Sequence, residues 1–437
     1  MKRFAMEQLD EWKEDENRLP MIIRGARQVG KTWLMKEFGR TRFKKCAYIN
    51  FDRNQRMNQL FSGDFRIDRI LRGLAIESGV EIEPENTLII LDEVQEVPSA
   101  LQSLKYFAED ERCAYYILAA GSLLGIAMHE GTSFPVGKVD SMELHPISFT
   151  EFLCATGNEA LYEILRECDF EMVTAFKDRF IELLKDYYYV GGMPAAVNAY
   201  TKDGNLKNVR RIQQRLIYDY EQDFSKHAPK ETVPRIQMVW DGIPSQLAKE
   251  NKKFIYSVLR EGARAKEFEL AIQWLLDCGL CHKVGRVKKG AVPLKAYQDL
   301  SAFKLYLLDV GLLGAMVDLD PKTLLQGSHI FMEFKGALTE QYVCQQIFAQ
   351  LDTIPYYWSA ENSSGEIDFV LQHDGNVIPL EVKAKENLNA KSLKSFVSSY
   401  QLAYGVRTSM SDYREQEKLI NLPLYGITEL WSVCGRR

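Results

Sequence analysis

One octet constrains this chain more than any other feature: Gly25-Ala-Arg-Gln-Val-Gly30-Lys31-Thr32. It fits G-x-x-x-x-G-K-[ST], follows the apolar run Met21–Gly25 and opens a helix-like stretch, which is the context such a loop needs. Each part has a chemical reason. Gly25 and Gly30 permit a tight turn, and the amides from Gln28 through Val29 to Thr32 can then wrap phosphate oxygens at the positive end of the next helix. Lys31 reaches the β- and γ-phosphates, and the Thr32 hydroxyl ligates Mg²⁺. Composition alone produces such an octet in roughly one or two chains per hundred of this length. ATP and Mg²⁺ are therefore the expected cofactors.

The second element is Leu88-Ile-Ile-Leu-Asp92-Glu93, an apolar strand ending in two acids. Asp92 is placed to hold the Mg²⁺ shell and Glu93 to polarise an attacking water; the plain alternative is a buried strand followed by surface acids. Short apolar runs at 21–25, 46–51, 87–92 and 115–120 alternate with helix-like stretches at 31–39 and 99–110. That pattern predicts an open α/β fold with a parallel sheet. The run 46–51 lies between the two motifs, an order that suggests the P-loop ATPases with an inserted strand and a catalytic glutamate. Ser122, just after the strand at 115–120, stands where such enzymes place a polar sensor of the γ-phosphate.

The segments GARQVGKT, LIILDEVQ, ILAAGS, MELHPISFTEFL and YYYVGGMPAAV, in that order, resemble prokaryotic AAA-family ATPases that carry a C-terminal domain of unknown function; IPSQLAKENKKFIYS and FKLYLLDVGLL match the same family. The resemblance spans nearly the whole chain. It implies a P-loop ATPase core over 1–155, a helical lid over 156–232, a winged helix over 233–325 and a restriction-endonuclease-like α/β domain over 326–437. Where family members carry Gly-Arg before the Ser-Phe-x-Glu-Phe segment, this chain has Gly137-Lys138, which loses a bidentate contact. Gly192-Met193-Pro194 resembles the Gly-x-Pro element of switch-type ATPases, whose proline packs near adenine. A helix-breaking turn explains the same residues.

Residues 247–290 hold ten Lys and Arg against five Asp and Glu, within a chain of net charge -5. Helices at 246–259 and 266–278, then strands at 280–287 and 293–298 joined by Lys288-Lys289-Gly290, read as a winged helix. DNA is thus a candidate partner, contacted by Lys283, Lys288 and Lys289. Packing against the core is the competing role. Cys278-Gly-Leu-Cys281-His282 matches a haem-attachment pattern, but the start of the chain has no export signal and no second ligand pair suggests zinc. Both cysteines are expected to be core residues.

Near the other end, Glu366-Ile-Asp368-Phe-Val-Leu and Val377-Ile-Pro-Leu-Glu381-Val-Lys383 flank Asp374-Gly375, a two-residue hairpin turn. Symmetry about that turn sets Asp368 opposite Glu381, with Lys383 on the same face. Two carboxylates and a lysine suit metal-assisted phosphodiester cleavage. The arrangement resembles the PD-(D/E)xK nucleases, and that resemblance adds Glu340, or Glu333, from the preceding helix. Asp368 and Glu381 are the expected ligands of the second metal. The alternative is a surface hairpin with a cross-strand Glu-Lys pair.

Two functions remain open: an ATP-driven, DNA-acting enzyme with a metal-dependent nuclease end, or a nucleotide-dependent switch that binds a partner or nucleic acid without cutting. Arg27, Arg53 and Lys138 are each conceivable as an arginine finger, and a homo-oligomer is a candidate state. The first twenty residues carry no apolar run, so no signal peptide and no membrane partner is expected, and a cytoplasmic location follows. The eight cysteines without framework spacing suit reduced thiols.

Overall fold

In the computed structural model, each apolar run expected to form a parallel strand does so. The structure describes residues 1–436 except 111–114, 123, 128–133, 250–251, 327–331, 361–364 and 385–389. The chain divides into two compact units, residues 2–145 with 277–279, and residues 146–276 with 280–437.

In the first unit, β1 (Met21–Arg24), β2 (Lys45–Asn50), β3 (Thr87–Asp92), β4 (Tyr116–Ala120) and β5 (Asp140–Glu143) form a sheet of order β2-β3-β4-β1-β5. Every pairing is parallel. β3 is buried along its whole length, as a central parallel strand must be. It delivers Asp92 and Glu93 to the same sheet edge as the loop after β1. β5 escaped the sequence reading because Asp-Ser-Met-Glu has only one buried residue. The octet's helix runs Lys31–Arg42.

The second unit begins with helices. Ser148 and Glu151 of the Ser-Phe-Thr-Glu-Phe segment form a capping box: the Ser148 hydroxyl accepts from the Glu151 amide at 3.2 Å, and the Glu151 carboxylate accepts from the Ser148 amide at 2.9 Å. Helix Lys177–Val190 ends at Gly191, whose φ of 69° and ψ of -165° are open only to glycine. Asp309, fully buried, holds this turn by accepting from the Gly192 amide at 2.6 Å, the Leu312 amide at 2.9 Å and Gln345 Nε2 at 3.0 Å. The Gly-Gly-Met-Pro element is therefore a packed turn locked from inside, with Pro194 as the first residue of helix Pro194–Asp203.

The remaining strands are β6 (Cys281–Val287), β7 (Gln298–Leu307), β8 (Tyr356–Ser359), β9 (Glu366–His373), β10 (Asn376–Val382), β11 (Gly405–Ser409), β12 (Arg414–Gln416) and β13 (Leu419–Pro423). They form one sheet of order β12-β13-β11-β10-β9-β8-β6-β7. The expected wing therefore shares a sheet with the expected nuclease-like hairpin, through parallel pairing of β6 with β8. The second wing strand, expected at 293–298, lies at Gln298–Leu307; residues 294–297 form a 3₁₀ turn and the buried Phe303–Leu307 run takes the sheet position. The helix expected at 246–259 is instead Val233–Leu247 plus the single turn Tyr256–Leu259. Cys278 and Cys281 are buried. No helix among the described residues is long and apolar enough to cross a membrane.

Gly191→Ala tests the locked turn. An added Cβ would lie 2.2 Å from Asp309 Oδ1 at a left-handed φ, so the substitution should destabilise the protein by at least about 2 kcal/mol in chemical denaturation.

Candidate active site

The octet forms a loop around its own lysine. Gly25 has φ 130°, and a Cβ there would sit 2.3 Å from the Leu144 carbonyl oxygen, so only glycine fits. Gln28 takes a left-handed φ of 65° and Gly30 caps the helix at φ 102°. Val29 is buried, and its carbonyl accepts from Arg3 Nη1 at 3.0 Å. Lys31 is 7% exposed and donates to the carbonyls of Gly25 at 2.7 Å and Ala26 at 2.8 Å. Burial pushes its ammonium down to about 8, against the pull of Glu93 and Asp92, with the charge of Arg27 adding to the depression.

The strand end meets the helix start. Thr32 Oγ1 donates to Asp92 Oδ2 at 2.8 Å, and Tyr48 Oη donates to the same oxygen at 2.9 Å. A hydroxyl and a carboxylate side by side are oxygen donors of the kind that would hold a hard divalent cation. The residues present therefore fit Mg²⁺. Glu93, at a left-handed φ of 55°, follows directly. Its Oε2 accepts from Gln95 Nε2 at 2.7 Å and from Ser122 Oγ at 3.2 Å, and Ser122 Oγ accepts from Arg27 Nε at 3.0 Å. Arg3, Tyr48 and Gln95 were not read from the sequence. Tyr48 was legible in principle, as an alternating residue of a strand beside β3; Arg3 and Gln95 carried no signal.

Pro194 belongs to the other unit. Lys138 makes a half-exposed pair with Glu109 at 3.2 Å.

In the second unit the hairpin register holds from Asn376↔His373 to Leu380↔Phe369, with Asp374 and Gly375 both at positive φ. The paired ladder stops there, one pair short of the expected Asp368–Glu381 opposition. β9 carries one extra residue against β8, since Tyr356 pairs with Val370 but Trp358 with Ile367. Ile367 and Val370 consequently enter the same apolar cluster, and Asp368 is carried away from it. Its Oδ2 instead takes the Val382 amide at 2.7 Å.

The carboxylate that shares Asp368's surroundings is Glu340, which is buried. Burial raises Asp368 to about 7, and Glu340 pushes the same way against Lys304 and Lys252. Burial also pushes Glu340 up, but Lys252 and Lys304 outweigh it and hold that group below its usual value. Glu340 is salt-bridged to Lys252 and accepts from Tyr306 Oη at 3.2 Å, while Lys304 lies 3.8 Å from Glu340 and 2.5 Å from Glu366. Glu381 is paired instead with Lys383 at 2.9 Å, and its Oε2 has no hydrogen-bond partner among the described residues. Glu333's side chain lies outside the described residues. Among the described residues no group of three or more His, Cys, Asp or Glu is arranged to hold a metal ion. Lysine ammoniums supply the positive charge at Glu340 and Asp368.

Residues 17–153 match the family described as AAA domain. This stretch is thus matched as an AAA domain. Beyond it, residues 181–323 and 335–425 match two domains of unknown function, DUF8612 and DUF4143. Among solved structures, the chain is similar to the Walker-type ATPase PABY2304 of Pyrococcus abyssi, at 14% identity over 72% of this chain and 95% of that one, with a TM-score of 0.44. The Aeropyrum pernix ORC1 protein, solved in complex with DNA, is similar at 10% identity over 72% and 90%, with a TM-score of 0.27. C. elegans PCH-2 is similar at 16% identity over 48% and 67%, with a TM-score of 0.29. No curated protein matches the chain.

Two substitutions probe the electrostatics. Lys31→Met removes a charge whose burial is unfavourable without an anion, and should stabilise the nucleotide-free protein by about 1–3 kcal/mol in denaturant titration. Lys304→Met should do the reverse, costing about 3–5 kcal/mol, because it strands Glu366 and leaves Glu340 and Asp368 to Lys252 alone.

Proposed function

We propose that this chain is an ATP-driven molecular switch. Its first unit binds and hydrolyses ATP·Mg²⁺, and its second unit passes the nucleotide state to a partner without cutting nucleic acid. The observation that carries the first half is the contact of Thr32 with Asp92 at 2.8 Å, beside Lys31 and Glu93. Bound there, Mg²⁺ offsets charge on the β- and γ-phosphate oxygens. The chain's own groups do the rest: amides of Gln28–Thr32 hold the phosphates, Lys31 orients the terminal ones, and Glu93 takes the proton of the attacking water. Ser122 faces the same end of the site.

The second half rests on the lysines. Lys252 and Lys304 satisfy Glu340 and Asp368 from within, which supports a structural ion cluster. Nucleic acid stays a candidate partner because Lys283, Lys288 and Lys289 are exposed along β6 and its end.

Lys31→Ala should abolish ATP binding in equilibrium titration, and Glu93→Gln should keep binding and lose turnover. Unchanged hydrolysis in Glu93→Gln would move the catalytic base elsewhere. Plasmid and single-stranded DNA should survive incubation with wild type and Mg²⁺ or Mn²⁺; nicking that vanishes in Lys383→Ala would restore the nuclease reading. If the three exposed lysines touch phosphates, replacing all three should flatten the salt dependence of DNA binding by about three contacts.

A further inference from the structure

Asp92 closes a strand that is buried along its whole length, and it is met from two sides. Thr32 Oγ1 donates to its Oδ2 at 2.8 Å from the start of the octet's helix, and Tyr48 Oη donates to the same oxygen at 2.9 Å from β2. The register of β2 on β3 pairs Asn50 with Asp92 and Tyr48 with Ile90. Tyr48 therefore reaches Asp92 along the diagonal, a span open to long and aromatic side chains. Asn50, directly opposite, is exposed, and its side chain accepts from the Asp52 amide at 2.8 Å. The Tyr48 ring is fixed as well as its hydroxyl. Lys36, one turn beyond Thr32 on helix Lys31–Arg42, sets its ammonium 3.6 Å from the ring centre.

These contacts divide the two oxygens of one carboxylate. A carboxylate oxygen has two lone pairs to offer, and both on Oδ2 face hydroxyl protons of this chain. Oδ1 accepts no hydrogen bond among the described residues, and it is the oxygen left for a cation or for a water that the cation holds. Ca²⁺ takes many oxygen ligands in loose geometry and accepts a carboxylate through one oxygen or both. Mg²⁺ is smaller, demands an octahedral arrangement and keeps several of its waters. A carboxylate restricted to one oxygen meets the needs of Mg²⁺ and denies Ca²⁺ its chelating contact.

We infer that Tyr48 sets the cation preference of the nucleotide site: by holding Oδ2 it limits Asp92 to one open oxygen and so favours Mg²⁺ over Ca²⁺. Tyr48 is a positioning residue, acting through Asp92, and Lys36 braces its ring. The inference rests on the proposed binding of ATP·Mg²⁺ at Thr32 and Asp92.

The test is calorimetric titration of the full-length chain with a non-hydrolysable ATP analogue, in saturating Mg²⁺ or in saturating Ca²⁺. Wild type should bind the analogue more tightly with Mg²⁺. Tyr48→Phe keeps the ring beside Lys36 and removes only the hydroxyl, so the ratio of the two affinities should fall about 10-fold, chiefly because the Ca²⁺ complex tightens. Lys36→Met keeps the hydroxyl and releases the ring, and should move the ratio the same way by a smaller factor. It is read in place of Tyr48→Phe should that variant fail to fold. A purely structural role for Tyr48 would weaken both complexes by the same factor. An unchanged ratio therefore overturns the inference, and so does a wild type without preference for Mg²⁺. Wild type that binds the analogue with neither cation overturns the ATP reading itself, a result distinct from any change of ratio.

Discussion

The buried ammonium of Lys31 is the constraint on which the first unit turns. A lysine tail inside a glycine-rich loop needs carbonyls, acids or an anion around it. The loop supplies the carbonyls of Gly25 and Ala26, and β3 supplies Asp92 and Glu93 across a short gap. That requirement explains why β3 lies one strand away from β1 in the order β2-β3-β4-β1-β5. Insertion of β4 between them sets Ser122 beside Glu93, and β2 at the outer side brings Tyr48 onto Asp92. Strand order, loop geometry and charge placement are one arrangement: each acid reaches the loop because a parallel sheet ends all its strands at the same edge.

The second unit solves a different charge problem. Its sheet buries Glu340 and partly buries Asp368 and Glu366, and the two lysines that answer them come from outside the hairpin. Lys304 is 1% exposed on β7, and Lys252 lies in the segment before the single turn Tyr256–Leu259. The strand pair that looked like a wing is therefore part of the same buried ion cluster as the hairpin, and the eight-stranded sheet is their common frame. Asp309 performs the analogous task for backbone amides, tying the Gly191-Gly192 turn to helices Val310–Met316 and Met332–Gln350.

Much of this was legible in the sequence, and the failures share a cause. Apolar runs gave four of the five parallel strands because central parallel strands are buried on both faces, while β5 was missed because a polar edge strand has no such pattern. The Asp374-Gly375 turn gave the hairpin register as far as Phe369, because both turn residues take positive φ. The bulge beyond it was invisible: it is set by the pairing of β9 with β8, and Tyr356 to Ser359 gives no local sign of an extra residue opposite. Asp368 lies within that irregular stretch, and the carboxylate that acts on it is Glu340. The octet and Asp92-Glu93 were plain from local pattern, whereas Gln95 and Arg3 act through contacts that spacing alone does not encode.

The most direct measurement is equilibrium binding of a fluorescent ATP analogue to the wild-type chain with Mg²⁺ and with excess chelator, repeated on Thr32→Ala and Asp92→Asn. The account predicts that Mg²⁺ tightens binding to wild type at least about 10-fold and that either substitution removes most of that gain, since hydroxyl and carboxylate are the protein's two approaches to the cation. Equal affinity with and without Mg²⁺ in wild type, or a full Mg²⁺ effect in both variants, would contradict the site described at Thr32 and Asp92.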